Sequence, residues 1–321
     1  MNLTTAFGNR LTHAIETKKS CVVVGLDPQL QLFPSNLTRP LENASGEDWF
    51  ACASEIVLDF GRQIVDAVAD LAPAIKLQAA FYERLGPTGL EAMRRTIKHA
   101  RQCNLIVILD AKRNDIESTA EAYAAAYLGS EDGLGGCPFD VDALTINPYL
   151  GSDGVLPFVR AAAPHGKGVF VLVRTSNPSA AEFQDLDVAR GAGTEPLCYA
   201  IARKVHEWGT ETTSLSQYSS VGAVVGATFP QEAITLRRLM PRSFFLVPGV
   251  GAQGADTSQL SVFFDETGSG ALISASRSVI YAYQRTPNRN KPFADAARDA
   301  ALRLRDTIER ARSQAANAKK T

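Results

Sequence analysis

No run of apolar residues approaches the roughly 20 that span a bilayer, so nothing in the sequence calls for a membrane. An excess of charge is missing too, since 33 basic against 34 acidic residues leave a net charge of −1. That balance gives no electrostatic footprint for nucleic acid or for an anionic membrane surface. Paired cysteines are absent. Cys21, Cys52, Cys103, Cys137 and Cys198 are scattered and odd in number, which argues against a disulfide framework and for a reducing, cytoplasmic setting. The four histidines are equally dispersed, and no zinc-type ligand cluster is visible. The N-terminal segment does not read as a signal peptide. Residues from about 4 to 18 read instead as an amphipathic helix with Phe7, Leu11 and Ile15 on one face.

What is present is a repeating pattern. Short apolar, β-branched runs recur at 21–27, 74–78, 105–112, 143–147, 168–175, 222–228, 244–250 and 271–277. Continuous runs of this kind suit strands buried on both faces, as in parallel sheets. Most gaps between them carry alanine-rich, charged helical patterns such as SEIVLDFGRQIVDAVADL and GLEAMRRTIKHARQ. Strands alternating with helices predict an α/β fold, a single (β/α)8 TIM barrel with loop insertions, and an open doubly wound sheet is the alternative. No low-complexity linker divides the 321 residues, so one domain over 1–321 is expected, closed by a charged helix at about 293–313. Residues 29–50, 176–197 and 209–221 exceed minimal connections. The first two follow strand C-termini and read either as lids or as ordinary surface elaboration.

In such a barrel, polar residues at the C-terminal ends of strands are the prime catalytic candidates. The first run ends in Asp27, the second carries Lys76 and Gln78, and the third reads LIVILDAKRND, with Asp110, Lys112 and Asp115. Strand alternation puts Asp110 and Lys112 on one face and Lys76 and Gln78 on one face of the neighbouring strand. Isolated charges crowded there would cost several kcal/mol each, so an alternating Lys/Asp network is expected. Such a network is either a set of salt bridges closing the barrel or a catalytic cluster. Asp115 also stands where an aspartate caps the following helix.

The seventh run leads into PGVGAQGAD, whose glycines let backbone N–H groups approach an anion, and the eighth into SASRSVIYA, where Arg277 opens a helical stretch. Loops at these two positions are the usual phosphate site of barrels. The same loop spells G-x-G-x-x-G. With one strand and a tail remaining after it, the dinucleotide reading lacks the βαβ units it needs.

Taken together, VGLDP, KLQAAFYERLG, LDAKRNDIEST, VRTSNPSA, PGVGAQGAD and SRSVIYA resemble, in order, the orotidine 5′-phosphate decarboxylases, and most of all their longer bacterial subclass. The resemblance implies decarboxylation of orotidine 5′-monophosphate to uridine 5′-monophosphate and CO2 in pyrimidine biosynthesis, without metal or cofactor. It further implies that Lys112 is the proton donor to C6 and that Asp110 faces the departing carboxylate. Asp115 would be supplied across a homodimer interface, with Ile116 and Thr119 lining the partner's site. Asp27 and Lys76 would meet the ribose hydroxyls, and Ser176 would read the pyrimidine edge. Pro248 would line the substrate site, and Gln253, Gly254, Ser276 and Arg277 would grip the phosphate. The chain departs from the smaller family members at Ser276, where they usually carry glycine. Alternatives within reach are a magnesium-dependent sugar-phosphate lyase or decarboxylase of the same suprafamily, and a nucleotide-binding barrel without turnover. Such metal-dependent relatives carry an acidic ligand at the position of Lys76, and a lysine there repels a divalent cation.

Overall fold

The computed structural model describes residues 6–129, 136–210, 217–250 and 257–317. Val22–Leu26 (β1), Ala74–Gln78 (β2), Ile106–Arg113 (β3), Ala143–Ile146 (β4) and Gly168–Arg174 (β5) form one side of a closed sheet. Asp187–Arg190 (β6) and Gly193–Pro196 (β7) make a separate antiparallel hairpin, and Val221–Val225 (β8), Phe245–Val247 (β9) and Ala271–Ala275 (β10) complete the sheet. The barrel order is β1-β10-β9-β8-β5-β4-β3-β2, with all neighbours parallel, and helices connect the strands, which makes this a (β/α)8 TIM barrel. Every residue of β1, β8 and β10 is buried, as strands covered on both faces require. The seventh barrel strand, β9, is shorter than the apolar run at 244–250, because Pro248 has no N–H to continue the ladder.

One end of the barrel is plugged. Helix Phe7–Lys18 buries Phe7, Leu11 and Ile15, and Phe7 meets Phe170 edge-on at 6.1 Å between centroids. The Phe7 ring occupies the space a side chain at position 168 would need, since an added Cβ there would lie 2.4 Å from it. Arg10 holds the helix down by donating to the Gly166 carbonyl at 2.8 Å and pairing with Asp142. With the N-terminal ends of the strands closed, the C-terminal ends are left to build a site.

The long connection after β1 is short helical turns followed by helix Gly46–Val68, which starts well before the helical pattern in the sequence. It is anchored by an aromatic stack in which Phe33 lies 4.1 Å from Phe60, and Phe60 lies 4.8 Å from Phe293 at the start of helix Phe293–Asn317. Tyr281 ties the same segment to the strand ends. Its hydroxyl donates to the Asp27 carbonyl at 3.0 Å and accepts from the Gln29 N–H at 2.7 Å. The connection after β5 contains the β6–β7 hairpin, turned at Gly191 with φ of 57°, a backbone glycine adopts without strain. Of the third long connection, 209–221, positions 211–216 lie outside the described residues. No helix among the described residues is long and apolar enough to cross a membrane.

Candidate active site

A cavity of about 530 Å³ opens at the C-terminal ends of the strands, lined by Asp27, Lys76, Gln78, Asp110, Lys112, Thr145, Ser176, Pro248, Ser276 and Arg277 among others. Parallel register assembles its charged floor. Gly25 pairs with Lys76, Lys76 with Ile108, and Gln78 with Asp110, so residues at successive strand ends arrive at one level.

The carboxylate of Asp110 is the hub. Lys76 Nζ donates to Oδ2 at 2.9 Å, Lys112 Nζ donates to Oδ1 at 2.5 Å, and Thr145 Oγ1 donates to Oδ1 at 3.0 Å. Asp27 extends the row, with Oδ1 3.9 Å from Lys76 Nζ. The expected Lys/Asp alternation is therefore present, as Asp27–Lys76–Asp110–Lys112. Burial alone would push the Asp110 carboxyl up, but Lys76 and Lys112 outweigh it and hold the group well below the usual carboxylate range. At Lys76, burial would pull the ammonium down, and Asp110 and then Asp27 reverse that and raise it. Both groups thus stay charged inside the barrel, each because of the other.

Asp110 and Lys112 share the cavity, though not by simple alternation. The β3–β4 register shifts between Leu109 and Arg113, and Lys112 takes a left-handed backbone with φ of 49°. A non-glycine residue in that region costs of order 1–3 kcal/mol and persists only where neighbours enforce it. Here Thr145 enforces it, its Oγ1 accepting the N–H groups of Ala111 at 3.1 Å and Lys112 at 3.0 Å while donating to Asp110. One hydroxyl thus clamps the bulge and orients the carboxylate. The Lys112 side chain is left 45% exposed, reaching outward where Lys76 is buried and Asp110 and Asp27 are largely covered.

Other cavity residues are held from behind. Arg174, buried at the end of β5, pairs with Asp185 at 2.5 Å and Glu232 at 2.6 Å and stacks on Phe229 at 3.8 Å. The next residue, Thr175, donates its N–H to the Gln184 side-chain carbonyl at 2.9 Å and accepts the Gln184 side-chain amide on its hydroxyl at 2.7 Å, so Ser176 emerges from a doubly pinned loop. Ser276 sits directly over Gly25, where an added Cβ would come within 2.7 Å of the Ser276 Cβ. Asp27 Oδ1 and Ser276 Oγ are buried and accept or donate no hydrogen bond among the described residues, which leaves polar atoms for a ligand.

Not every expected residue is in this cavity. Gln253 and Gly254 lie outside the described residues. Asp115, Ile116 and Thr119 do not line the cavity. Asp115 Oδ1 accepts the adjacent Ile116 N–H at 2.9 Å, while helix Glu117–Tyr127 begins with no side-chain cap, so the capping geometry anticipated for Asp115 is not formed. Thr145, Asn177, Gln184 and the Arg174 pairs were not singled out from the sequence. Thr145 had one signal, its inward position on the strand next to Asp110, but threonine is too common in strands for that to stand out.

A family model described as orotidine 5′-phosphate decarboxylase / HUMPS family matches residues 22–288. The chain is 40% identical over 307 residues to an orotidine 5′-phosphate decarboxylase of Rhodopirellula baltica, covering 94% of this chain and 99% of the relative. It is likewise 40% identical over 280 residues to one of Caldicellulosiruptor bescii, covering 87% and 90%. The crystal structure of a putative orotidine-monophosphate-decarboxylase from Toxoplasma gondii superposes with a TM-score of 0.78 at 32% identity, covering 99% of each chain.

Proposed function

Because this chain belongs to the orotidine 5′-phosphate decarboxylase / HUMPS family and serves pyrimidine biosynthesis as a decarboxylase, we propose that Lys112 carries the reaction on orotidine 5′-monophosphate as proton donor. The observation that carries this reading is the continuous ion-paired row through Lys76, Asp110 and Lys112, with contacts of 2.9 and 2.5 Å. Loss of CO2 leaves an anion in an sp2 orbital at C6 that the ring π system does not delocalise. The protein must stabilise that charge by fixed electrostatics and protonate it. The row supplies both. Its two carboxylates and two ammonium groups sum to zero, so a bound substrate carboxylate adds one negative charge beside Asp110. That charge stays within reach of Lys112 as CO2 departs, and it is quenched when the Lys112 proton moves to C6. Repulsion between Asp110 and the substrate carboxylate adds to the driving force.

The remaining lining residues fit the other parts of a nucleotide. Asp27 and Lys76 face the ribose hydroxyls, Ser176 the pyrimidine edge, and Arg277 with Ser276 the phosphate, joined by Gln253 and Gly254. Phosphate binding far from C6 holds the ring over Lys112, so that affinity at one end raises rate at the other. We assign no metal to this site. The Lys76 ammonium stands between Asp27 and Asp110, where a magnesium-dependent relative would gather acidic ligands, and this favours the decarboxylase over the sugar-phosphate reading. The whole chain acts as one barrel domain, and its five free cysteines suit a reducing cytoplasm.

We further propose a homodimer with shared sites. Ile116 is 44%, Tyr149 81% and Leu150 45% exposed, an apolar rim beside Asp115, and the Cβ position of Gly154 next to that rim lies 3.2 Å from the Asp115 carbonyl. Large exposed apolar side chains gathered beside a polar site mark a contact surface. Asp115, Ile116 and Thr119 would then complete the partner's cavity. Mixing inactive Lys112→Ala and Asp115→Ala chains is expected to restore activity, because one of the two sites in a heterodimer is then wild type. No recovery despite demonstrated subunit exchange would refute the shared site.

A further inference from the structure

The dispersed histidines and cysteines form no pattern in the sequence, yet the fold gathers one of each with a carboxylate. His99 and Cys103 stand one helical turn apart at the C-terminal end of helix Gly86–Gln102, and Asp66 comes from the last turn of the adjacent helix Gly46–Val68. Helix Gly86–Gln102 leads into the start of β3, so this cluster sits at the barrel end opposite the decarboxylase cavity.

His99 Nε2 lies 2.7 Å from Asp66 Oδ1 and 3.9 Å from Cys103 Sγ, and that Sγ lies 3.7 Å from the same Oδ1. The convergence separates two kinds of chemistry. A nucleophilic Cys-His-Asp relay needs thiol and carboxylate on opposite ring nitrogens, so that a proton taken on one side is stabilised from the other. Here both meet Nε2, which serves no relay and instead puts three donor atoms around one point. A tetrahedral zinc ion with ordinary bond lengths sets sulfur–nitrogen, sulfur–oxygen and nitrogen–oxygen edges at roughly 3.4–3.6 Å. The two sulfur edges are within a few tenths of an ångström of that. The nitrogen–oxygen edge must open by roughly 0.7 Å, as an ion replaces the hydrogen bond.

We infer that Asp66, His99 and Cys103 form a binding site for a thiophilic divalent cation of the zinc type, with solvent as fourth ligand. The surroundings permit it. The Asp66 side chain is 60% exposed and that of His99 24%, which gives an entry path and an open coordination position. Lys18, whose charge is felt at Cys103, donates to the Ala69 carbonyl at 2.7 Å. Burial and the Asp66 charge push the Cys103 thiol up, and an ion between them reverses this, the thiol proton passing to solvent. The other comparable grouping among the described residues, Asp185, Cys198 and Glu232, is filled by the Arg174 guanidinium and is closed to a cation. An ion at Asp66, His99 and Cys103 would staple two helices of the barrel wall.

The test titrates reduced, metal-free full-length protein with Co2+, whose thiolate charge-transfer absorption reports sulfur ligation, and then competes it with Zn2+. One equivalent of Co2+ is expected to develop the band and Zn2+ to displace it. Cys103→Ser abolishes the band, Cys137→Ser retains it, and His99→Gln lowers the affinity at least about ten-fold. Decarboxylation is unchanged in all three. No band in the wild type, or a band that survives Cys103→Ser, overturns the assignment. Should Cys103→Ser fail to fold, His99→Gln decides, and an unaltered affinity there overturns it equally.

Discussion

Lys112→Ala is expected to lower kcat for orotidine 5′-monophosphate by at least about four orders of magnitude while leaving the fold intact. General acid catalysis contributes about 10²–10⁴-fold. A charge-stabilising donor at the developing anion contributes about 10²–10³-fold more. Lys112 is proposed to do both, and the two losses fall on one substitution. The fold should survive because the side chain is 45% exposed, and its ammonium touches the cluster only through Asp110. Removing it leaves Asp110 still paired with the buried Lys76. Steady-state kinetics together with chemical denaturation check the prediction. A large kcat loss at near-native stability is the expected pair of results. Retention of activity within ten-fold would remove Lys112 from the chemistry.

Asp110→Asn is expected to damage stability and activity together, and this contrast with Lys112 is diagnostic. Lys76 is 6% exposed, and without Asp110 its nearest carboxylate is Asp27 at 3.9 Å. Stranding one member of a buried pair costs about 3–5 kcal/mol. The pH dependence follows from the directions of the shifts. The Asp110 carboxyl is held below its usual range, so its stabilisation is present above an ordinary aspartate value of about 4 and is lost as pH falls through the depressed one. Lys76 is raised, so its contribution is full below an ordinary lysine value of about 10.4 and is lost only as pH rises through the higher one. The stability gap between wild type and variant should therefore be flat from about pH 5 to 9 and narrow in stronger acid. Urea denaturation across that range measures it. Equal stability at neutral pH would mean that the row does not hold Lys76 charged. Activity should fall as well, since Asp110 both positions Lys112 and faces the substrate carboxylate.

The contrast between these two substitutions also shows where sequence reasoning reaches and where it stops. Charges inside apolar runs are conspicuous, because burial makes them costly. Lys76, Asp110 and Lys112 could be singled out for that reason, and the barrel could be read from strand after strand of continuous burial. The bulge that aims Lys112 was hidden. It depends on how β3 registers against β4 and on the Thr145 hydroxyl, 33 residues away. Arg174 is likewise an unremarkable strand residue until Asp185 and Glu232 close on it from two other segments, the farther one 58 residues on. The same holds for Asp66, His99 and Cys103, which only the packing of two helices unites. Local rules report what a residue costs in place, whereas partners set by tertiary register leave no mark in the chain between them.

The most direct test follows uridine 5′-monophosphate formation from orotidine 5′-monophosphate by the wild-type protein in excess chelator. Undiminished turnover is predicted, because the charges that stabilise and protonate the C6 anion belong to Lys112 and its ion-paired row, and any ion at the far end of the barrel is remote from them. Turnover that disappears with the chelator and returns with magnesium, or folded protein that leaves this nucleotide untouched, would contradict the account.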